Sequence, residues 1–258
     1  MEPLSDYLGA TLSQHFERMI NGRRIRIIGY QRQTVRGNWK LYAENSRDQY
    51  HGSLLHKFQG TFLTKTTTQG GLWMDGRHRH SIIYSTPTKT FAGALNDAAD
   101  IVHNVDQFED TTILKFFPEF GESYPYGSAI CSLFPNVVIQ QIRNSLATRQ
   151  IRPQGLDQFE LFFTLFGFDD DSEELAAHRL LQVNMGGPAG FISSEDGEAI
   201  EIVHKATASQ PQSISIVEMG GTGPIPDHAK SRINDLAVRG FWSFYSELMQ
   251  IEPVNAIR

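Results

Sequence analysis

Three β-rich runs lie close together in the middle of this chain: Ile130 to Ile142, Leu146 to Ile151 and Phe159 to Phe168. The turn-like triplets Arg143-Asn144-Ser145 and Pro153-Gln154-Gly155 split them. Connections this short join antiparallel neighbours, because a parallel crossover needs about a dozen residues or more. A sheet built this way has an apolar face that a second layer must cover.

The flanking sequence offers that layer. Leu8, Leu12, Phe16, Met19 and Ile20 recur at helical spacing, and Gly22 follows as a stop. Ile25 and Ile27 alternate with Arg24 and Arg26, a strand pattern. The stretch Glu44 to Leu55 reads as helical. Trp73 and Ile82 to Tyr84 flank Asp75-Gly76, a hairpin signal, and His78, Arg79 and His80 read as exposed hairpin surface. Asp171, with Glu174 three residues on, reads as a helix cap, and Asp169 and Asp170 as acids solvating that helix start. Further helices are expected over Ser193 to Ala206 and from about Asn234 to Met249, the last with Leu236, Phe241, Phe244, Tyr245 and Leu248 inward. Strands in the middle and helices at the ends point to an α+β domain, an antiparallel sheet with long covering helices.

Composition narrows the function classes. The net charge of −6 supplies no basic excess to neutralise phosphates, which argues against nucleic acid as a partner. One cysteine, Cys131, lies in an apolar run and reads as a core thiol; alone it excludes an intrachain disulfide or an all-cysteine metal cluster within the chain. No apolar run reaches membrane-spanning length and the start shows no basic-then-apolar signal, so a cytoplasmic protein is expected, with no membrane partner. Gly186-Gly187-Pro188-Ala189-Gly190 lacks the Lys-Ser/Thr of a phosphate loop.

The chemistry concentrates near residue 50. His51 and His56 stand five residues apart, and Asp48 precedes His51 by three. Neutral imidazole is the commonest metal ligand, and carboxylates orient such ligands. Five residues rotate a regular helix by roughly 140° net, so the two rings share a face only if the helix is distorted or ends near His56. The plain alternative is two unrelated histidines, one buried and one exposed.

The wording around them decides. Asn38-Trp39-Lys40-Leu41-Tyr42-Ala43-Glu44-Asn45, then Asp48, then Tyr50-His51, then Leu54-Leu55-His56 resembles the mononuclear-iron motif of Rieske-type aromatic-ring-hydroxylating oxygenase α subunits. Three further blocks follow in order. Leu133-Phe134-Pro135-Asn136 through Asn144-Ser145-Leu146-Ala147-Thr148-Arg149-Gln150 looks like that family's pocket-lining sheet. Gly187-Pro188-Ala189-Gly190-Phe191 through Glu195-Asp196-Gly197-Glu198 looks like the segment of the third iron ligand, and Arg239-Gly240-Phe241-Trp242 is similar to the closing helix.

This resemblance implies a helix-grip-like antiparallel sheet wrapped around long helices, forming a mononuclear non-haem iron catalytic domain over residues 1–258. It implies Fe(II) held by His51, His56 and Asp196, the last chosen over Glu195 because it stands just before Gly197-Glu198. Asp48 matches the carboxylate joining the iron site to a Rieske cluster on a neighbouring subunit, and Asn45 a position close to the iron. The wording is most like members acting on aromatic carboxylates such as salicylate, anthranilate or terephthalate. Arg149 is the first candidate cation for such a substrate, ahead of Arg143 and Arg232.

The family's α subunits carry a Rieske [2Fe–2S] domain bound by two Cys and two His, which a chain with one cysteine cannot supply. The expectation is therefore a Rieske-free catalytic domain. It would use O2 to hydroxylate an aromatic ring, with cis-dihydroxylation first and monohydroxylation or demethylation equally compatible with the ligands. Electrons would come from a Rieske-bearing chain with its ferredoxin or reductase, and a β subunit and a homotrimer are partners that the resemblance implies. The competing class is a non-catalytic ligand-binding or assembly module, or a truncated inactive α subunit.

Overall fold

A computed structural model describes residues 2–58, 70–86, 111–120, 127–231 and 233–251. In chain order these form α1 (Leu4–Ile20), β1 (Ile25–Val35), α2 (Trp39–Asn45), α3 (His51–Leu54), β2 (Gly70–Met74), β3 (Ser81–Ser85), β4 (Ser128–Leu133), β5 (Val137–Ile142), β6 (Ser145–Pro153) and β7 (Phe159–Phe168). Then follow α4 (Glu173–Gly186), α5 (Ser193–Ser209), the short β8 (His228–Ala229) and α6 (Leu236–Met249). The strands make one eight-stranded antiparallel sheet in the order β1-β7-β6-β5-β4-β3-β2-β8, so the fold is α+β.

The two faces of the sheet are covered differently. Strand β7 shows why, since side chains alternate along a strand. Phe159, Leu161, Phe163 and Leu165 face one side, where Tyr42 of α2, Val183 of α4, Ile200 of α5 and Phe241 and Phe244 of α6 close over them. Phe166 and Phe168 face the other side and meet Met19 of α1. Leu8 and Leu12 of the same helix cover Ile82, Ala129 and Cys131. Burial pushes the Cys131 thiol up to about 12, so it is an inert core group. Helix α6 is pinned to α2 by Trp242 Nε1, which donates to Glu44. Among the described residues, no helix is long and apolar enough to cross a membrane.

Several expectations need correction. Ile130 to Ile142 is two strands, because Phe134-Pro135-Asn136 turns the chain and proline cannot donate to the ladder. The expected helix from Glu44 to Leu55 breaks after Asn45. Ser46 Oγ returns to Ala43 O at 3.1 Å, the last backbone bond of the turn runs from Asp48 N to Glu44 O at 2.9 Å, and Asp48 Oδ1 then accepts from Tyr50 N at 2.7 Å, so a side chain takes over from the ladder ahead of α3. The cap of α4 is Ser172, which accepts from Leu175 N at 3.2 Å, not Asp171. Arg79 and His80 are buried rather than exposed. Arg79 pairs with Asp75 at 2.9 Å, and His80 Nδ1 accepts from Phe134 N at 3.0 Å. Leu248 is 60% exposed, one turn beyond the buried stripe of α6.

Asp171 turns inward instead of capping. The fully buried Arg179 donates Nε to Asp171 Oδ2 at 2.8 Å and Nη2 to Glu119 Oε2 at 2.6 Å, and its Nη1 reaches Asn144 O at 2.5 Å. Removing one partner of such a buried pair strands the others, at a cost on the order of 3–5 kcal/mol. Arg179→Ala is expected to lose stability of that size in urea unfolding. Burial alone would raise the pKa of Asp171, but the hydrogen bond from Arg179 and the guanidinium charges hold it below the usual 3.8. This contribution is therefore present above about pH 4 and lost as pH falls through the lower folded value, so the wild-type advantage over Arg179→Ala should shrink in acid.

Candidate metal centre

The break between α2 and α3 brings the two histidines together. Helix α2 starts on Asn38, whose side chain accepts from Lys40 N, and ends at Asn45. Tyr42 and Ala43 hold it in the core. After the Asp48 turn, α3 opens at His51 and stops at Leu54, so His56 lies just beyond its last turn. The rings stand 5.2 Å apart, inclined at 70°. Helix α5 supplies the third group from a distant part of the chain. Asp196 lies in its first turn and is 5% exposed.

One ligand atom from each of His51, His56 and Asp196 lies within 4.8 Å of the other two. Asp196 Oδ1 is 3.4 Å from His51 Nε2 and 3.5 Å from His56 Nε2. Donor atoms bound about 2 Å from one cation lie roughly 3 Å apart when adjacent, so the Asp196 oxygen stands near that separation from each imidazole nitrogen. The far nitrogens of both rings face carboxylates. His51 Nδ1 lies 3.2 Å from Asp48 Oδ2, and His56 Nδ1 lies 3.0 Å from Glu195 Oε2. Asn45 Nδ2 donates to Asp196 Oδ1 at 3.0 Å and lies 3.4 Å from His51 Nε2.

The electrostatics suit a cation. Burial would raise the pKa of Asp196, but its hydrogen bond with His51, the charges of both imidazoles and the Asn45 amide hold it below the usual value. Burial opposes charge on His51 too, yet hydrogen bonds and charge from Asp196 and Asp48 push it up to about 9. Asp48 itself stays low despite partial burial, through its bonds with His51 and the Tyr50 amide. Asp48, Glu195 and Asp196 leave the cluster negative when the imidazoles are neutral. Two imidazoles and a carboxylate are a donor set that fits Fe(II).

The structure thus brings together His51, His56, Asp196, Asp48 and Asn45. Arg149 is near but not among them. It is 6% exposed on β6, donates Nη1 to Tyr42 Oη at 2.8 Å and Nε to Gln140, and lies 5.3 Å from the Phe163 ring centre. Tyr42 stands on α2 three residues before Asn45, which links the arginine to the helix that carries part of the cluster. Among the described residues Arg149 has no acidic partner. Arg143 donates to Leu114 O at 2.7 Å, and Arg232 lies outside the described residues. Sequence reasoning set Glu195 aside and missed its contact with His56. The acid beside Asp196 was its one visible signal.

Comparison with known proteins gives a consistent result. The profile of the ring-hydroxylating α-subunit catalytic domain matches residues 22–251. The chain is similar to the large oxygenase component of salicylate 5-hydroxylase from a Ralstonia species, 38% identical over 96% of this chain and 59% of that protein. It is also similar to the large subunit of anthranilate 1,2-dioxygenase from Burkholderia cepacia, 40% identical over 96% of this chain and 58% of that protein. The chain therefore spans about three-fifths of the length of these curated relatives. Among solved structures, naphthalene 1,2-dioxygenase from a Rhodococcus species, with indole bound, superposes with a TM-score of 0.70 at 17% identity. The match covers 97% of this chain and 62% of the other and shows a shared fold.

If the cluster binds Fe(II), Asp196→Ala should weaken that binding by about 100-fold or more, beyond the 10–100-fold typical of groups that only orient a ligand. Anaerobic titration calorimetry, with circular dichroism to verify folding, checks this.

Proposed function

We infer the function from one premise: the chain belongs to the ring-hydroxylating α-subunit family, through its catalytic domain. We propose that His51, His56 and Asp196 hold one Fe(II), and that the chain hydroxylates an aromatic ring bearing a carboxylate. The observation that carries the metal reading is the convergence of these three donors, with a carboxylate behind each imidazole.

Bound there, Fe(II) supplies the capacity to bind O2 and reduce it for insertion into the ring. The other roles belong to the chain. Asp48 and Glu195 each engage one Nδ1, so each Nε2 is the nitrogen that would give up its proton and turn a lone pair to the metal. The Asn45 amide fixes the Asp196 carboxylate from the side. Dihydroxylation adds both oxygen atoms of O2 and takes two electrons and two protons; monohydroxylation takes the same and releases water. The single cysteine cannot build a Rieske cluster, so the electrons come from a cluster held outside residues 1–258. Asp48 fits the inlet. It contacts the ligand His51 inside, and its side chain is 28% exposed outside.

Arg149 supports the carboxylate preference. A buried guanidinium without a counter-charge is costly, and a substrate carboxylate would supply one. Tyr42 and Gln140 hold the fork in place for it. The curated relatives are named for salicylate and anthranilate, both aromatic carboxylates.

Arg149→Ala is expected to weaken benzoate-type ligands by roughly 10-fold or more, the loss of a charge-assisted pair, and to leave neutral arenes nearly unchanged. Equal loss for both would show that Arg149 does not read the carboxylate. In turnover assays, the iron-loaded chain with NADH and a reductase alone should not sustain hydroxylation, whereas adding a Rieske protein should. Steady turnover without one would contradict the electron route. A chain with no affinity for Fe(II) would fit a ligand-binding module instead.

A further inference from the structure

Asp196 and Glu195 are neighbours on one helix but do different work. Successive helical residues point about 100° apart, so two adjacent acids address two directions. Asp196 faces the Nε2 atoms of both histidines. Glu195, one methylene longer, passes around to the far side of His56. There its Oε2 lies 3.0 Å from His56 Nδ1, and its Oε1 accepts from Lys57 N at 3.1 Å.

This pattern repeats that of Asp48. Asp48 takes the Tyr50 amide at 2.7 Å and faces the ring of His51 at 3.2 Å. Each acid therefore grips one ring nitrogen and one backbone amide beside the same histidine. The two differ in reach. Asp48 lies three residues from its histidine, whereas Glu195 lies 139 residues from His56. The Asp48 grip orders only a local turn. The Glu195 grip fastens the chain after α3 to the first turn of α5, where the positive helix end also favours an acid. His56 itself lies between α3 and the helical residues Lys57 and Phe58.

We propose that Glu195 is the positioning residue for His56. It holds the imidazole with the proton on Nδ1 and the Nε2 lone pair aimed at Asp196, and it makes α5 and the His56 loop one rigid unit. This rests on the metal reading above. Glutamine keeps one oxygen for the His56 ring but not a second for Lys57 N. Alanine keeps neither.

The test titrates the full chain with Co(II), as a spectroscopic stand-in for Fe(II), in wild type, Glu195→Ala, Glu195→Gln and His56→Ala. Glu195→Ala should lose 10–100-fold in Co(II) affinity with an unchanged circular dichroism spectrum, and Glu195→Gln should recover most of it. Proton NMR of the Co(II) protein should show two shifted, slowly exchanging imidazole N–H signals in wild type. The His56 signal should exchange away in Glu195→Ala and persist in Glu195→Gln. The proposal is overturned if Glu195→Ala binds as tightly as wild type and keeps both signals while His56→Ala loses binding. A wild type that fails to bind Co(II), or that binds it independently of His56, overturns the metal reading and this inference with it.

Discussion

The site depends on one carboxylate oxygen. Asp196 Oδ1 stands between the Nε2 atoms of two histidines and takes a hydrogen bond from Asn45. Four groups from two distant stretches of chain meet at this atom. In a buried setting such a cluster persists only if charges and hydrogen bonds are matched. Here the matching comes from the acids behind the rings and from the cation the cluster is suited to hold. The sheet and helices serve this point. Phe241 and Trp242 of α6 press on α2 from one side, and β6 and β7 support it from the other. Helix α2, which carries Asn45, is thereby held against α5, which carries Asp196.

The division of the sheet explains why the site lies where it does. Helix α1 covers the face of Ile82, Ala129 and Cys131, where its Arg18 Nη2 also donates to the buried Gln141 of β5 at 2.8 Å. The opposite face carries α2, α4, α5 and α6 and also the buried polar groups of β5 and β6, Gln140 and Arg149. A second buried arginine, Arg47, shows that Arg149 is not alone in lacking an acid. Its Nη1 reaches Ala43 O at 2.7 Å, its Nη2 has no partner among the described residues, and burial lowers its pKa to about 9. Arg47 stacks on Phe241, whereas Arg149 donates to Tyr42 on α2, the helix that ends at Asn45. That difference is why Arg149, and not Arg47, is the one proposed for the substrate.

Much of the architecture was legible from local patterns. The alternation along Phe159–Phe168, the Asp75-Gly76 hairpin and the amphipathic outer helices each depend on neighbours within a few residues. The misreadings share a cause. Ser46, Asp48 and Asp171 are polar residues whose side chains bond to backbone or to a distant arginine, and no hydrophobic period reports such bonds. The helix expected to run through residue 50 was the most consequential, since an unbroken helix would have turned His51 and His56 apart. The ligand candidates themselves were readable because the family wording is spread over four blocks. The Glu195–His56 contact was not, since it joins residues 139 apart and leaves no spacing to count.

The central claim is that two imidazoles and one carboxylate of this chain bind one iron. Fe K-edge X-ray absorption of the anaerobic chain loaded with one equivalent of Fe(II) tests it most directly. The account predicts oxygen and nitrogen neighbours only, with outer-shell scattering from two imidazole rings that falls to one ring in His56→Ala. Sulfur scattering, or an iron environment unchanged by the loss of His56, would contradict it.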